Sequence, residues 1–215
     1  MGDDGISECF DNCTCARAKH ASPASVRGVS RLLVDMLDRR GLRGRTVLEL
    51  GCGLGGLTLT TASHGATRAM GIDLSTVAIR EASRLAGEAG LAEGVTFAVG
   101  DGAEMELPTS DVVILDKVIC CYPRVDALIK NSLRAASSTY AFAVPFSSGL
   151  RGVVARMAIR GENALRWLRR QRFRAYVHDV QVIEQALEKA GLPRIASARR
   201  FIWYAAVHER PTSQT

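Results

Sequence analysis

The chain has 215 residues, 47% of them apolar and 23% charged, and its formal net charge is +6. This length and apolar content are enough for one hydrophobic core, and they leave no room for a large separate substrate domain. No run of eighteen apolar residues occurs, so a membrane-spanning helix is not expected. The first residues lack the basic and apolar pattern of a secretion signal, and we expect a cytoplasmic protein.

The first predicted elements are a helix, a strand, a glycine-rich loop and a second helix. The first helix begins at Ser22-Pro23, because proline suits the first helical position, and it ends at Gly41. The strand, the loop and the second helix occupy residues 46–63. Ser75 then caps a helix that reaches about Gly87.

Strands and helices continue to alternate as far as a fifth strand near Tyr140–Val144. This alternation is typical of a parallel sheet with helices on both faces. After Asp179 a helix ends at Gly191, and two last strands follow at about 194–198 and 201–208. Because only a short turn separates these two strands, we expect an antiparallel hairpin at the end of an α/β fold.

The loop after the first strand contains closely spaced glycines. Residues Val47–Thr58 read VLELGCGLGGLT, with Gly51, Gly53 and Gly55 behind the strand-like run. Glycine allows the backbone to turn sharply there and to come close to a ligand. Read with Gly56, the same loop also satisfies the dinucleotide fingerprint. The loop therefore indicates a nucleotide-like cofactor and leaves a nicotinamide and S-adenosylmethionine both open.

An acid lies at or just beyond the end of each of four consecutive strand-like runs, namely Glu49, Asp73, Asp101 and Asp116. Asp73 could accept two hydrogen bonds from a ribose, and Asp101 lies where it could accept one from an adenine amino group. Glu49 would repel a pyrophosphate but could reach a cationic amino-acid ligand. An edge with four acids suits a sulfonium and an ammonium better than two phosphates.

Together these motifs resemble those of the class I S-adenosylmethionine-dependent methyltransferases. The matching motifs are Glu49-x-Gly51-x-Gly53-x-Gly55, Gly71-Ile72-Asp73-Leu74-Ser75, Gly100-Asp101 and Asp111-Val-Val-Ile-Leu-Asp116. The resemblance implies a Rossmann-like, seven-stranded, mostly parallel sheet with an antiparallel last strand and helices on both faces. It also implies S-adenosylmethionine as cofactor, S-adenosylhomocysteine as its product, and transfer of a methyl group.

The resemblance also implies a set of cofactor-binding residues: Glu49, Gly51, Cys52, Gly53, Gly55, Asp73, Leu74, Asp101, Gly102, Asp116 and Lys117. Glu49 and the glycine loop would hold the methionine part of the cofactor. Asp73 would bind both ribose hydroxyls, with Leu74 against the adenine. Asp101 would meet the adenine amino group, and Asp116 would close the site near the sulfonium.

The region expected to face the methyl acceptor is Asp116–Pro123. This stretch and the long segment after the fifth strand are loosely similar to magnesium-protoporphyrin O-methyltransferases. Those enzymes have a histidine where this chain has Cys120, which counts against a porphyrin acceptor. We expect Tyr122 and Lys117 to contact the acceptor and His178 to be a candidate base, with no metal. A small-molecule acceptor methylated at oxygen is the prediction.

Residues 146–174 form a basic segment with eight arginines and one glutamate, and thus a net charge of +7. On a helical wheel, Val154, Met157, Leu165 and Leu168 share one face, and Arg156, Arg160, Arg166 and Arg170 share another. One interpretation is a helix that covers the edge of the core and exposes its arginines. The other is a lid that recruits an anionic acceptor or lies on an anionic membrane. Nucleic acid is a weaker candidate, since no aromatic platform interleaves the charges.

The six cysteines are Cys9, Cys13, Cys15, Cys52, Cys120 and Cys121. In a cytoplasmic chain we expect reduced thiols, and the spacing of the first three does not match common zinc sites. Thiolates near the active site could instead bind a soft metalloid such as arsenic, although the surrounding sequence does not otherwise resemble such enzymes.

We expect a single domain with four parts: an N-terminal helical cap (1–44), a cofactor-binding core (45–145), a basic helical insertion or lid (146–178), and a closing helix and hairpin (179–208). Two other classes of function stay open. One is a Rossmann-type NAD(P)-dependent oxidoreductase. The other is a non-catalytic protein that binds S-adenosylmethionine or docks a partner through the basic segment.

Overall fold

The computed structural model describes residues 26–123 and 125–211. The helices are α1 (Val29–Asp38), α2 (Gly56–Ser63), α3 (Thr76–Glu88), α4 (Val125–Ala135), α5 (Gly149–Leu168) and α6 (Val180–Lys189), with a short 3-10 turn at Ile119–Cys121. The strands are β1 (Thr46–Leu50), β2 (Arg68–Asp73), β3 (Val95–Val99), β4 (Ser110–Asp116), β5 (Ala136–Pro145), β6 (Arg194–Arg200) and β7 (Trp203–Glu209). The predicted helix start at Ser22-Pro23 lies outside the described residues.

The seven strands form one sheet in the order β3-β2-β1-β4-β5-β7-β6. All neighbours from β3 to β5 pair in parallel, and β7 pairs antiparallel with both β5 and β6. The predicted Rossmann-like sheet with an antiparallel last strand is therefore confirmed. The fifth strand is longer than predicted, because Ala136–Thr139 continue the pairing with β4.

The sheet is buried on both faces, because the central strands are apolar on both sides. On β4, Val112 and Ile114 pack in the cluster that contains residues of α1, α2 and α3. Val113 and Leu115 pack in the other cluster, with residues of α4 and α6. Unbroken apolar runs of this kind are typical of parallel strands covered by helices on both faces.

The burial pattern of the long helix α5 disagrees with one of the two interpretations of the basic segment. Its buried residues are only Gly152, Ala155 and Ile159. The predicted apolar face of Val154, Met157, Leu165 and Leu168 is exposed and does not cover the core edge. That interpretation was therefore wrong about the apolar face, since small residues make the helix's closest contact with the protein.

We expect substitution of Ser75 by alanine to destabilise the protein by about 1 kcal/mol. Its side-chain oxygen accepts a hydrogen bond from the Ala78 amide at 2.9 Å and so satisfies a donor at the start of α3. Ser83→Ala, in the exposed interior of the same helix, is the matched control and should be neutral or slightly stabilising. Urea unfolding of the two variants measures the difference, and equal losses would contradict the assignment of Ser75 as the cap.

Candidate cofactor and acceptor site

The glycine loop turns at the carboxyl end of β1 with three residues in the left-handed region. The φ angles of Gly51, Gly53 and Gly55 are 69°, 53° and 76°. A Cβ atom on Gly51 would also lie 2.4 Å from a methyl carbon of Val118, in the loop after β4. The three glycine positions therefore disfavour any other residue on conformational grounds, and Gly51 does so on steric grounds as well.

Glu49 lies deeper in the sheet than the other acids. The register places it opposite Gly71 of β2 and Ile114 of β4, two residues before Asp73 and Asp116. Its carboxylate is buried and accepts hydrogen bonds from the amide and the hydroxyl of Thr58. Because the N-cap residue of α2 is a glycine, Glu49 supplies the acceptor that caps this helix.

Burial raises the pKa of Glu49 to about 8, and the nearby charges of Asp116 and Asp73 add to the increase. The hydrogen bonds from Thr58 act in the opposite direction. Cys52 is buried beside it, and burial together with the charges of Glu49 and Asp73 raises the pKa of the thiol well above its usual value. The floor of the site therefore favours neutral side chains until a cation approaches.

Asp73 is fixed by backbone donors on both sides. Its Oδ2 accepts a hydrogen bond from the Gly53 amide at 2.8 Å, and its Oδ1 accepts one from the Ser75 amide at 2.9 Å. The carboxylate thus joins the glycine loop to the start of α3. Leu74, the next residue, is half-buried.

Asp101 lies beyond β3 and is covered by an aromatic side chain. Its Oδ1 accepts hydrogen bonds from the Ala103 amide at 2.8 Å and from the Tyr122 hydroxyl at 2.7 Å. Burial and the hydrogen bond to Asp101 raise the pKa of Tyr122, so its hydroxyl stays a neutral donor. Gly102 is held from behind, since its carbonyl accepts a hydrogen bond from the Asn131 side chain at 2.9 Å.

Asp116 ends β4 with one oxygen satisfied and one not. Its Oδ2 accepts a hydrogen bond from Ser30 of α1 at 2.6 Å, and Lys117 Nζ lies 3.3 Å away. Its Oδ1 is buried and has no hydrogen-bond partner among the described residues. Burial raises the pKa of Asp116, while Lys117 and Ser30 lower it. Such an orphaned acceptor is typical of a site that receives a donor from a ligand.

The loop after Asp116 is strained and folds back on itself. Lys117 has φ of 60°, and its carbonyl accepts weak hydrogen bonds from the thiols of Cys120 and Cys121. The Cys120 carbonyl in turn accepts the Tyr176 amide at 2.8 Å. A bulky residue in the left-handed region persists only when its surroundings enforce it, and such residues cluster at functional sites.

His178 is attached to this acceptor loop. Its Nε2 is 2.8 Å from the Tyr122 carbonyl, to which the ring nitrogen donates. Burial lowers the pKa of His178, and hydrogen bonds to the backbone of Tyr122 and Ile119 oppose that shift. This geometry favours a role in holding the loop, and the predicted role as a base stays a prediction.

The segment after α5 packs back against that helix. Asn163 exchanges two hydrogen bonds with the backbone of Ala175, at 2.8 and 2.9 Å. The Arg166 guanidinium stacks over the Phe173 ring, 4.6 Å from its centroid. The pKa of the Cys121 thiol is raised by its hydrogen bond with Cys120 and by burial, and the charge of Arg166 opposes that shift. Arg166 is therefore turned toward the returning chain and does not share the solvent face predicted for it with Arg156, Arg160 and Arg170.

Some residues of the site were not predicted from the sequence. They are Ser30, Thr58, Asn131 and Phe97, the last of which would clash with a Cβ on Gly55 or Gly71. The role of Thr58 could have been predicted from the sequence, because Thr58 is the third residue of a helix whose N-cap is glycine. Ser30 and Asn131 had no local signal, since each reaches a partner distant in sequence.

Part of the chain that carries this candidate site is similar to known proteins. Residues 47–138 match the model of a methyltransferase domain family. A ribosomal protein L11 methyltransferase of Photorhabdus laumondii is 37% identical over 83 residues, covering 39% of this chain and 28% of the relative. A norajmaline N-methyltransferase of Rauvolfia serpentina is 26% identical over 141 residues, covering 64% of this chain and 48% of the relative. The chain thus spans less than half the length of these curated relatives.

Among solved structures, magnesium protoporphyrin IX methyltransferase from Synechocystis PCC 6803 with bound S-adenosylhomocysteine superposes with a TM-score of 0.73. The sequence identity is 19%, and the match covers 98% of this chain and 100% of that one. At this identity the likeness concerns the fold alone.

We expect the stability of the ligand-free protein to fall as the pH rises from about 4.5 to about 8 because of Glu49. The folded state binds the proton of this carboxyl more tightly than the unfolded state, so its contribution is full at low pH and disappears as the pH passes through the raised pKa. One such group changes the free energy of unfolding by up to about 1.4 kcal/mol per pH unit. Glu49→Gln keeps an acceptor for Thr58 but cannot ionise.

Denaturant unfolding of wild type and Glu49→Gln at several pH values measures this effect. The curve of the variant should be flatter, and its advantage over wild type should grow toward pH 8. Glu93→Gln, at an exposed position, is the control and should follow wild type. Parallel curves for Glu49→Gln and wild type would mean that Glu49 is already ionised in the ligand-free protein.

Proposed function

We propose that this chain, which carries a methyltransferase domain in a class I fold, transfers a methyl group from S-adenosylmethionine to an oxygen of a small molecule. One observation carries the proposal: the glycine loop and four acids meet at one edge of the sheet, at the ends of β3, β2, β1 and β4. Ligands of open α/β sheets bind outside the carboxyl ends of the strands, where the strand order reverses.

The side chains at this edge fit such a cofactor. The space that a Cβ would need at Gly51 and Gly71 is already filled by Val118 and by Phe97 and Cys52, so both positions require glycine for the packing that surrounds the proposed cofactor site. The orphaned Oδ1 of Asp116 offers an acceptor near the place where a cationic group would lie. By resemblance to the family, Asp73 binds the ribose, Asp101 the adenine amino group, and Glu49 and the loop the methionine part.

The acids also argue against a nicotinamide dinucleotide. The Gly53 amide, which a pyrophosphate would use, is already bonded to the Asp73 carboxylate. The buried Glu49 lies beneath the loop, and an anion bound there would oppose its ionisation and gain no attraction from it. A cofactor with a positive sulfur and a positive amine would instead favour the ionised form of Glu49 and be attracted by it.

The proposed reaction demands positioning more than acid–base chemistry. A sulfonium cofactor supplies a methyl group that is already activated, so the chain has to hold the acceptor atom in line with it. Lys117 and Arg166 are two cations near the loop that follows Asp116. They favour an anionic oxygen as the nucleophile over a cationic amine, which is why we propose O-methylation and an anionic acceptor. Tyr122, whose raised pKa keeps its hydroxyl neutral and whose proton is donated to Asp101, would contact the acceptor through its ring and its hydroxyl oxygen.

The basic segment is proposed as a lid over this acceptor side. The hydrogen bonds between Asn163 and Ala175 and the stacking of Arg166 on Phe173 hold the returning chain against α5. The backbone bond from Tyr176 to Cys120 attaches it to the acceptor loop. A lid fastened in this way would exclude water from the methyl transfer.

Replacement of Asp73 tests the cofactor site. We expect Asp73→Ala to weaken binding of S-adenosylhomocysteine about a hundredfold, because hydrogen bonds to a charged group contribute about 1.5–3 kcal/mol each. Asp73→Asn, which keeps one acceptor oxygen, should lose less. Calorimetric titration gives the affinities, with Glu93→Gln as a control and thermal unfolding as a check of the fold. Unchanged affinity in Asp73→Ala would refute the ribose assignment.

Proton release on binding is a second measurable consequence. Glu49 is mostly protonated at pH 7 in the free protein, because its pKa is about 8. A cationic ligand beside it should lower that pKa and displace the proton. The enthalpy of S-adenosylhomocysteine binding at pH 7 should therefore depend on the ionisation enthalpy of the buffer, and this dependence should be smaller in Glu49→Gln. Identical buffer dependence in the two proteins would place the ligand's cation away from Glu49.

The same titration distinguishes the competing functions. If the protein binds NADH but does not bind S-adenosylhomocysteine, the oxidoreductase is favoured. Binding of S-adenosylhomocysteine without methyl transfer to any anionic phenol or carboxylic acid would favour the non-catalytic alternative.

A further inference from the structure

Helix α5 has an apolar stripe that points away from the protein. The stripe consists of Leu150, Val154, Met157, Gly161, Leu165 and Leu168, spaced three or four residues apart along five turns. All six are exposed, Met157 by 67% and Leu168 by 69%. Scattered exposed apolar residues are ordinary, but a continuous stripe along a helix about 30 Å long indicates a binding surface.

Arginines flank the stripe on both sides. Arg156 and Arg160 lie along one edge, Arg151 and Arg169 along the other, and Arg170 and Arg172 follow at the carboxyl end. Glu162 is the one acid of the helix, and it is paired with Arg166. The helix therefore presents an apolar strip between two rows of positive charge.

The rotation of the helix is fixed by the contacts of its inner face. A Cβ on Gly152 would lie 2.6 Å from the Ser147 backbone, so the helix can pack this closely only with glycine there. Arg156 donates a hydrogen bond to the Ser147 carbonyl at 2.5 Å, and Asn163 is bonded to Ala175. A rotation that turned the stripe inward would break all three contacts.

We propose that α5 docks this protein on the surface of an anionic lipid bilayer, with the stripe in the interface and the arginines at the phosphate groups. An amphipathic helix with arginine beside a large apolar face is suited to this arrangement. No helix among the described residues is long and apolar enough to cross a membrane. A second copy of the chain fits poorly, because it would bring two segments of net charge +7 together.

The proposal is independent of methyl transfer. It concerns the outer face of α5, whereas the inner contacts of the same region lie toward the acceptor loop. A bilayer on the outer face would place the acceptor side of the site close to the lipid surface.

Vesicle sedimentation of the full chain tests the proposal. At about 0.1 M salt the protein should bind vesicles with about 30% phosphatidylglycerol. It should not bind vesicles made only of phosphatidylcholine. Met157→Glu combined with Leu165→Glu should reduce binding at least tenfold. The matched control, Val182→Glu, changes an exposed apolar residue of α6 and should bind like wild type.

The arginines are tested separately from the stripe. Arg160→Gln combined with Arg169→Gln should lower partitioning about 25-fold, because each basic residue at an anionic surface contributes about 1 kcal/mol. Arg39→Gln combined with Arg43→Gln, exposed positions near the other end of the sheet, should leave binding unchanged. Circular dichroism and thermal unfolding verify that every variant is folded.

Three results would overturn the proposal. They are equal binding to neutral and anionic vesicles, unchanged binding of Met157→Glu with Leu165→Glu, and a concentration-dependent dimer that these two substitutions abolish. The last result would assign the stripe to an interface between copies. Because no cofactor enters this assay, failure here leaves the S-adenosylhomocysteine titration unaffected, and the reverse also holds.

Discussion

The depth of Glu49 in the sheet is the constraint on which the site depends. Parallel strands on both sides of β1 place this carboxyl two residues below Asp73 and Asp116, where water does not reach it. It stays there because it caps α2 through Thr58, and α2 begins where the glycine loop ends. The loop, the helix and the buried acid therefore form one unit, and a change in any of them alters the other two.

This unit also explains why the acids do not simply repel one another. Each carboxylate has its own donors: Thr58 for Glu49, two backbone amides for Asp73, a backbone amide and Tyr122 for Asp101, and Ser30 for Asp116. Hydrogen bonds to a carboxylate compensate for the loss of water and for nearby like charge. Asp116 is the one of the four whose second oxygen is buried without a partner in the described part of the chain.

The fold was predictable because its signals are local and repeat along the chain. The apolar runs of β1 and β4, the cap at Ser75 and the short turn before β7 each determine a neighbouring element, and their order determines the sheet. The acids were predictable for the same reason, since each lies at or just after a strand end. The contacts of Ser30 and Asn131 were not, because they join residues 86 and 29 positions apart. One interpretation placed the apolar face of α5 at the core edge, whereas that face is exposed. A helical wheel shows which residues share a face but not whether the face points to the core or to solvent.

The hydrogen bond between Tyr122 and Asp101 has a consequence for the energetics of ligand exchange. The acceptor loop satisfies, with its own hydroxyl, the carboxylate that the family uses for an adenine amino group. Both hydrogen bonds to this carboxylate end on the same oxygen, Oδ1. In the proposed cofactor complex, an adenine amino group bound to Asp101 would therefore share the carboxylate with the hydroxyl of Tyr122. The two halves of the cleft would then be coupled through a single carboxylate.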